Sequence, residues 1–130
     1  MSVHIDAIGV VVSDMKQAIA FYERLGCSFP ADAADTPHAE SDLGGVRLML
    51  DSAASLQEMG LSGDDEPGGG DRVALAAQCD SPADVDRLYE EMAADGFGRR
   101  APMDAPWGQR YAMLVDPDGT HVDLYAALGR

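Results

Sequence analysis

The sequence contains one arrangement of elements twice, and this internal repeat constrains the fold more than any other feature. Residues 4–12 show the alternating apolar pattern of a strand, and the helical pattern that follows stops at Gly26. Residues 72–78 also predict a strand, and the helix after it ends near Gly96. Each half of the chain therefore begins with a strand followed by a helix.

Both predicted helices begin at a capping residue and carry one apolar stripe. The N-cap is Ser13 or Asp14 in the first half and Asp80 or Ser81 in the second, where Pro82 suits the first helical turn. Each stripe has the spacing i, i+3, i+4, i+7 of a helix face that packs on a core. The stripes are Ala18, Phe21, Tyr22 and Leu25 in the first helix, and Val85, Leu88, Tyr89 and Met92 in the second.

The repeat extends to the end of each half. The segment DLGGVRLML, residues 42–50, has the layout of DPDGTHVDL, residues 116–124: a Gly-containing turn and then a strand with alternating apolar residues. Each half predicts a strand, a helix and then two or three strands, in a curved sheet with its helices on one face. We expect both faces of the first strand to be covered.

Chain length and composition set the domain organisation. The 130 residues suffice for one compact domain. We expect module one at about 1–51, a linker at about 52–71 and module two at about 72–130. Because the linker ends in the polar, Gly-rich run GDDEPGGGD, a flexible connection is favoured over a lid on a pocket.

Charge and cysteine content limit the partners and the compartment. A net charge of −14 repels phosphate backbones and anionic lipid surfaces, so we expect no nucleic-acid partner. The start of the chain lacks the basic and long apolar segments of a signal peptide or a membrane span. Cys27 and Cys79 are far apart in sequence and form no metal-binding spacing, which favours a reducing, cytoplasmic location.

Two segments resemble a known superfamily. The run IGVVVSDMKQAIAFYERLG and, one half later, DPDGTHVDLY resemble the vicinal oxygen chelate superfamily of glyoxalase I, extradiol dioxygenases, and fosfomycin and bleomycin resistance proteins. The resemblance covers essentially the whole chain. It implies an α+β fold of two tandem βαβββ modules whose curved sheets form a cleft, often completed in a homodimer. Fold alone does not set the chemistry.

The resemblance also implies four positions for the ligands of a divalent metal, two in each module. They fall on Ala7, Met49, Val73 and Asp123, so only one carries a carboxylate. A lone carboxylate binds a divalent ion weakly and without fixed geometry, so we expect no metal cofactor. A slip of one residue would bring in Asp6 or Ile8, Arg72 or Ala74, and Leu48 or Leu50, which also make no ligand set.

The last hairpin supplies the candidate binding residues. If residues 117–119 form a three-residue turn with Gly119 in the left-handed region, Met113 pairs with Asp123. One face then carries Tyr111, Met113, His121, Asp123 and Tyr125, and the other face is purely apolar. Trp107 precedes the hairpin in an APWG segment similar to one in bleomycin resistance proteins. The residues of other strands that are expected to face the same cleft are Arg47, Met49, Asp51, Ala7, Gly9, Val73 and Leu75.

Each of these residues also has a purely structural interpretation. Tyr125 could be an aromatic at the rim, and His121 is favoured as a hydrogen-bonded strand residue over a general base. Asp123 needs a partner on a partly apolar face, such as Arg47, Arg110, water or a ligand cation.

Three hypotheses about function remain open at this point. The first is a metal-independent small-molecule binder that sequesters a cationic antibiotic or a similar metabolite in a cytoplasmic homodimer. The second is a lyase, isomerase or dioxygenase with an atypical metal site, or one that uses Asp123 and His121 as an acid/base pair. The third is a domain whose cleft serves only as a dimer interface.

Overall fold

A computed structural model describes residues 2–60 and 73–129, and the chain divides into two compact units. The first unit spans Met1–Glu66 and the second spans Pro67–Arg130, so the division falls inside the predicted linker. Each unit has its own sheet, and the mixture of helices and sheets confirms the predicted α+β class. In the described part of the chain, every helix is too short or too polar to cross a bilayer.

The first unit is a three-stranded sheet with a helix after its first strand. Its elements are β1 (Ala7–Val12), α1 (Met15–Glu23), a 3-10 turn (Ala33–Asp35), β2 (His38–Asp42), β3 (Arg47–Ser52) and α2 (Ala53–Glu58). The strand order is β1-β3-β2, with β1 parallel and β2 antiparallel to β3.

Local chemistry accounts for the first helix. The carboxylate of Asp14 accepts a hydrogen bond from the backbone N–H of Gln17 at 3.1 Å and caps α1, which settles the choice between the two predicted caps. Phe21 and Tyr22 lie on the predicted stripe and are buried with their rings edge to face. This stripe lies over the apolar face of the sheet.

The first unit differs from the predictions in two respects. β1 begins at Ala7 rather than at His4, and Ile5 and Val11 are 88% and 53% exposed, so the expectation that both faces of this strand are covered was wrong. Within residues 2–60 two strands follow α1, which is one of the two numbers predicted from the repeat and one fewer than in the βαβββ module that the resemblance implies.

The predicted linker contains a helix. α2 starts directly after β3, and the Ser52 hydroxyl caps it by accepting from the N–H of Ser55 at 3.2 Å. The helix thus follows the last strand of this unit without a loop, and the composition of the segment did not predict a helix there. The remainder of the predicted linker, residues 61–71, lies outside the described residues.

The second unit has the complete βαβββ arrangement that was predicted. Its elements are β4 (Ala74–Gln78), α3 (Pro82–Ala94), β5 (Gly98–Ala105), β6 (Gln109–Val115) and β7 (His121–Ala127). The strand order is β4-β7-β6-β5, with β4 parallel to β7 and the other neighbours antiparallel.

The core of the second unit lies between α3 and the sheet. The Ser81 hydroxyl caps α3 by accepting from the N–H of Asp84 at 3.2 Å, and Pro82 occupies the first turn as predicted. The helix buries Val85 and Met92 against β5, β6 and β7. The facing strand residues are Ala112, Leu114, Val122 and Leu124, each at most 1% exposed.

The turn between β6 and β7 has the predicted chemistry. Gly119 has φ 91°, in the left-handed region that favours glycine. The buried carboxylate of Asp116 accepts from the backbone N–H groups of Asp118 and Thr120 at 2.9 and 2.8 Å. Asp116 is therefore a structural residue of the turn, and this turn sets the register of the two strands that carry the candidate site.

Candidate binding site on the sheet of the second unit

The register of β6 and β7 brings the predicted residues together on one face. Met113 lies opposite Asp123, Tyr111 opposite Tyr125, and Val115 opposite His121, as the predicted turn requires. The alternate residues of both strands are the buried ones that pack under α3. The candidate side chains therefore project from the face of the sheet that is not covered by this helix.

A concavity of about 380 Å³ lies on this face. It is lined by Ala76, Trp107, Gln109, Tyr111, Asp123 and Tyr125. Four of these were predicted as ligand-binding residues, whereas Met113 and His121 lie on the same face without lining it. Gln109 was missed, although it has the same parity as Tyr111 along β6, and Ala76 could be placed only once the register of β4 was known.

The aromatic side of the concavity is held together by two contacts. The rings of Trp107 and Tyr111 are 5.6 Å apart and meet edge to face at 73°. The indole Nε1–H of Trp107 donates to Oε1 of Gln109 at 2.8 Å. Trp107 remains 62% exposed, so a large apolar surface is held in place while it faces solvent.

Asp123 is the acidic group of the site. Its Oδ1 accepts from the hydroxyl of Tyr111 at 2.8 Å, and Nε2 of His121 lies 2.9 Å from the same oxygen. That Nε2 is buried and its orientation does not satisfy hydrogen-bond geometry, so the contact is an ion pair only when the imidazole is protonated. The side chains of His121 and Asp123 are 14% and 21% exposed.

The environment of Tyr111 keeps its hydroxyl protonated. Desolvation, followed by the hydrogen bond to Asp123, raises the pKa of Tyr111 to about 12. The hydroxyl is therefore a neutral donor to the carboxylate throughout the physiological pH range.

The two arginines named as possible partners of Asp123 are paired with other carboxylates, each within its own unit. Arg110 donates to Asp86 at 2.8 Å and to Asp104 at 3.1 Å. Arg47 belongs to the first unit, where it donates to Glu40 at 2.8 Å. The carboxylate of Asp123 is instead satisfied by the tyrosine and approached by the histidine of its own hairpin.

Arg47 and Met49 lie on one face of the sheet in the first unit, as the alternation of β3 predicts. Ala7 is paired with Arg47 and Gly9 with Met49, while Leu48 and Leu50 are buried on the other face. Arg47 also lines a second concavity, of about 540 Å³, with acidic neighbours from β2 and from the segment before β1.

A chain of charged contacts on that face was not predicted. Nδ1 of His38 lies 2.5 Å from Asp51, its Nε2 lies 2.7 Å from Glu40, and Glu40 in turn accepts from Arg47. Because both ring nitrogens face carboxylates, hydrogen bonds to Asp51 and then to Glu40 raise the pKa of His38. Alternation along HAESD places His38 and Glu40 on one face once the segment is known to be a strand, but its few apolar residues do not indicate one.

The residues at the implied metal positions do not fit a metal. Ala74 pairs with His121 and Leu75 with Val122, so Ala74 rather than Val73 shares the face of Asp123. The placement of Val73 and Leu75 on the cleft face was therefore wrong by one residue, because Leu75 lies on the side covered by α3.

With this correction the four positions carry Ala7, Met49, Ala74 and Asp123, and methyl and thioether groups cannot replace the missing oxygen or nitrogen ligands. Within residues 2–60 and 73–129, no group of three or more His, Cys, Asp or Glu side chains could hold a metal ion.

Comparison with known proteins agrees with the fold and leaves the chemistry open. The structure resembles a hypothetical protein from S. aureus (18% identity, TM-score 0.77, 98% of this chain and 95% of that chain). It also resembles a glyoxalase/bleomycin resistance protein/dioxygenase from Nocardioides (26%, 0.71, 98% and 85%) and a lactoylglutathione lyase from Agrobacterium tumefaciens (20%, 0.66, 95% and 92%). A search of curated proteins finds no match.

A family model with the description Glyoxalase/Bleomycin resistance protein/Dioxygenase superfamily matches residues 4–124. The match includes β1, α1, β6 and the first half of β7, and so nearly all of the two segments that carry the resemblance in the sequence. The chain therefore belongs to this superfamily.

Proposed function

We propose that this protein is a metal-independent binding protein that sequesters a small organic cation, such as an antibiotic or a similar metabolite. The observation that carries the proposal is the concavity on the second sheet, where three aromatic side chains and one carboxylate converge. Its volume of about 380 Å³ is in the range of sites for small organic molecules. Such a protein acts by occupancy, so its affinity and its concentration determine its effect.

The charge of the site supports a cationic ligand. Among the residues that the structure describes, those lining the concavity include one acid, Asp123, and no basic side chain. The chain as a whole has a net charge of −14, which attracts cations over long range at low ionic strength. Both effects favour a positively charged ligand over a neutral or anionic one of the same shape.

Metal independence is supported by the chemistry of the side chains at the family's ligand positions. A superfamily enzyme of the metal-dependent type needs several oxygen or nitrogen ligands around one ion. Asp123 supplies one, and its Oδ1 already accepts a hydrogen bond from Tyr111.

Fluorescence of Trp107 offers a direct test because it is the sole tryptophan of the chain and lines the concavity. We expect a panel of cationic antibiotics to include compounds that change its emission at micromolar concentration, with affinity falling as salt is raised. Asp123→Asn should weaken binding about tenfold or more, since it removes the charge of the site. Glu90→Gln, on the exposed side of α3, makes the same change in net charge and should leave binding unchanged.

A metal assay separates the proposal from its rival. Purified protein should contain no stoichiometric metal, and nickel, zinc, manganese or iron should leave its melting temperature unchanged. A bound metal well above its dissociation constant would stabilise the fold by a few kcal/mol, so a shift of several degrees on adding one of these ions would contradict the proposal. Failure of every compound in the panel to bind would contradict it as well.

One observation favours a second candidate function, a metal-independent enzyme that uses proton transfer. Tyr111, Asp123 and His121 meet at one carboxylate oxygen, with separations of 2.8 and 2.9 Å, which resembles the positioning of an acid/base group. The two functions differ in what happens to the ligand. Mass spectrometry after prolonged incubation should return the ligand unchanged from a binding protein and converted from an enzyme.

A further inference from the structure

We infer that the cationic group recognised by this concavity is a quaternary ammonium, whose nitrogen carries four carbon substituents, rather than a protonated amine. This inference rests on the proposed binding function and specifies its ligand. It depends on how the polar atoms of the site are already engaged and on the aromatic surface that surrounds them.

The hydrogen-bond acceptors of the concavity bear on which kind of ammonium it suits. A protonated primary amine has three N–H donors, and burying it without partners for them is costly. Two acceptors of the concavity are engaged within the site: Oδ1 of Asp123 accepts from Tyr111 at 2.8 Å, and Oε1 of Gln109 accepts from Trp107 at 2.8 Å. These internal bonds occupy one acceptor site on each of the two groups, and because a carboxylate can accept further hydrogen bonds, they lessen the attraction of the site for an amine without removing it.

Three aromatic side chains line the concavity beside its carboxylate. Tyr111 and Tyr125 are opposite each other on β6 and β7, and Trp107 packs edge to face on Tyr111 at 5.6 Å. All three line the concavity together with Asp123. Aromatic faces attract a cation without requiring N–H donors, and this combination of rings and one acid suits methylated ammonium groups.

The space beside Asp123 and the nearest arginine of its cross-strand row also affect how a cation could bind. The side chain of Ala76 adds only a methyl group to the concavity, which leaves room beside Asp123. Arg100 lies in the same cross-strand row, opposite Met113, which is in turn opposite Asp123. It is exposed and does not line the concavity, and its positive charge is the last and smallest of the causes that act on the pKa of Tyr111, so Asp123 is the charged group of the lining itself.

Three small alcohols test the inference by calorimetric titration at neutral pH. Choline carries a quaternary ammonium, ethanolamine carries a primary ammonium of the same charge, and the neutral tert-butyl analogue of choline has the same shape without charge. We expect choline to bind about tenfold more tightly than either of the others. Titration with phosphatidylcholine vesicles distinguishes a free cation from a lipid headgroup as the source of the same chemistry.

Variants relate this preference to the proposed contacts. Trp107→Leu and Asp123→Asn should each reduce the preference for choline over its neutral analogue. Glu90→Gln, on the exposed side of α3, should preserve this preference. Tyr111→Phe retains the ring but releases Oδ1 of Asp123 as an acceptor, so the affinity for ethanolamine should rise relative to that for choline. A purely structural role of Tyr111 would not change this ratio.

The outcomes separate this inference from the proposed function. If ethanolamine binds as tightly as choline, or if antibiotics of the panel bind while choline does not, the quaternary preference is refuted and the binding function stands. If the neutral analogue binds as tightly as choline, the site does not recognise charge and both are refuted. Both also fail if neither the panel nor the three alcohols bind.

Discussion

Replacement of Leu124 by alanine tests whether the two faces of the last hairpin are assigned correctly. Leu124 is fully buried on β7, on the side covered by α3. The substitution removes three carbon atoms from an apolar environment, a transfer cost of roughly 2.4 kcal/mol at about 0.8 kcal/mol per carbon. The cavity that remains raises the expected loss in the free energy of unfolding to about 3–4 kcal/mol.

Urea unfolding followed by Trp107 fluorescence measures this loss, since the tryptophan belongs to the second unit. With a slope of about 1–3 kcal/mol per molar urea, the midpoint should fall by about 1 M or more. Met113→Ala is the matched control because Met113 is only half-buried and lies on the opposite face. Its loss should be less than half as large.

Equal losses, or a larger loss for Met113, would refute the face assignment. The candidate face would then be part of the packed core, and the concavity beside Asp123 would not be available to a ligand. The position of the site depends on this result, because a slip of one residue exchanges every side chain between the two faces.

Three further changes have defined outcomes. Asp123→Asn should lower the pKa of Tyr111 from about 12, though not to its ordinary 10, because desolvation is the largest cause and remains; an NMR titration of labelled tyrosine measures it. His38→Gln should lower the free energy of unfolding at acidic pH, and this loss should shrink as pH rises above the ordinary histidine pKa of 6.5, because the folded state raises the pKa of His38. Urea midpoints measured across pH test this, and the effect is small because the side chain is 44% exposed. Gly98→Ala should lower the melting temperature, since a Cβ there would lie 2.7 Å from the hydroxyl oxygen of Tyr89 and 2.8 Å from the Cβ of Ala93 on α3, which cannot move without the helix.

The features that sequence predicted correctly are those that local chemistry determines. The turn at Asp116 and Gly119 sets how β6 meets β7, so the pairing of Met113 with Asp123 follows from a few adjacent residues. The caps and stripes of α1 and α3 are likewise local. Because the turn chemistry is local, the amino-acid sequence alone predicts that most of the candidate binding residues share one face of the hairpin.

The register of β4 could not be predicted in the same way. β4 pairs with β7 in parallel, so no tight turn joins the two strands and the register depends on contacts distant in sequence. The segment ALAAQ also has alanine on both faces, which gives a weak alternation. Leu75 carries the clearest apolar preference, and its pairing beside the buried Val122 of β7, rather than the repeat pattern, determines its side.

The contacts of His38 were missed for a related reason. The segment HAESD contains few apolar residues, so its pattern does not indicate a strand, and β2 is defined by its antiparallel pairing with β3. Once paired, His38 lies opposite Asp51 and Glu40 opposite Met49. Sequence shows the charged residues but does not show which strand they join.

Comparison of the two sheets explains why the fold predicts so little of the chemistry. Leu48 and Leu50 in the first sheet and Val122 and Leu124 in the second are all buried, and these alternating apolar residues preserve the repeat. The intervening positions do not contribute to that core and can differ without loss of the fold. One sheet uses them for a chain of ion pairs, and the other for a carboxylate among aromatic rings. The superfamily fold therefore depends on the buried positions, whereas the choice of ligand depends on the positions outside that core, above all on Asp123 and its aromatic neighbours.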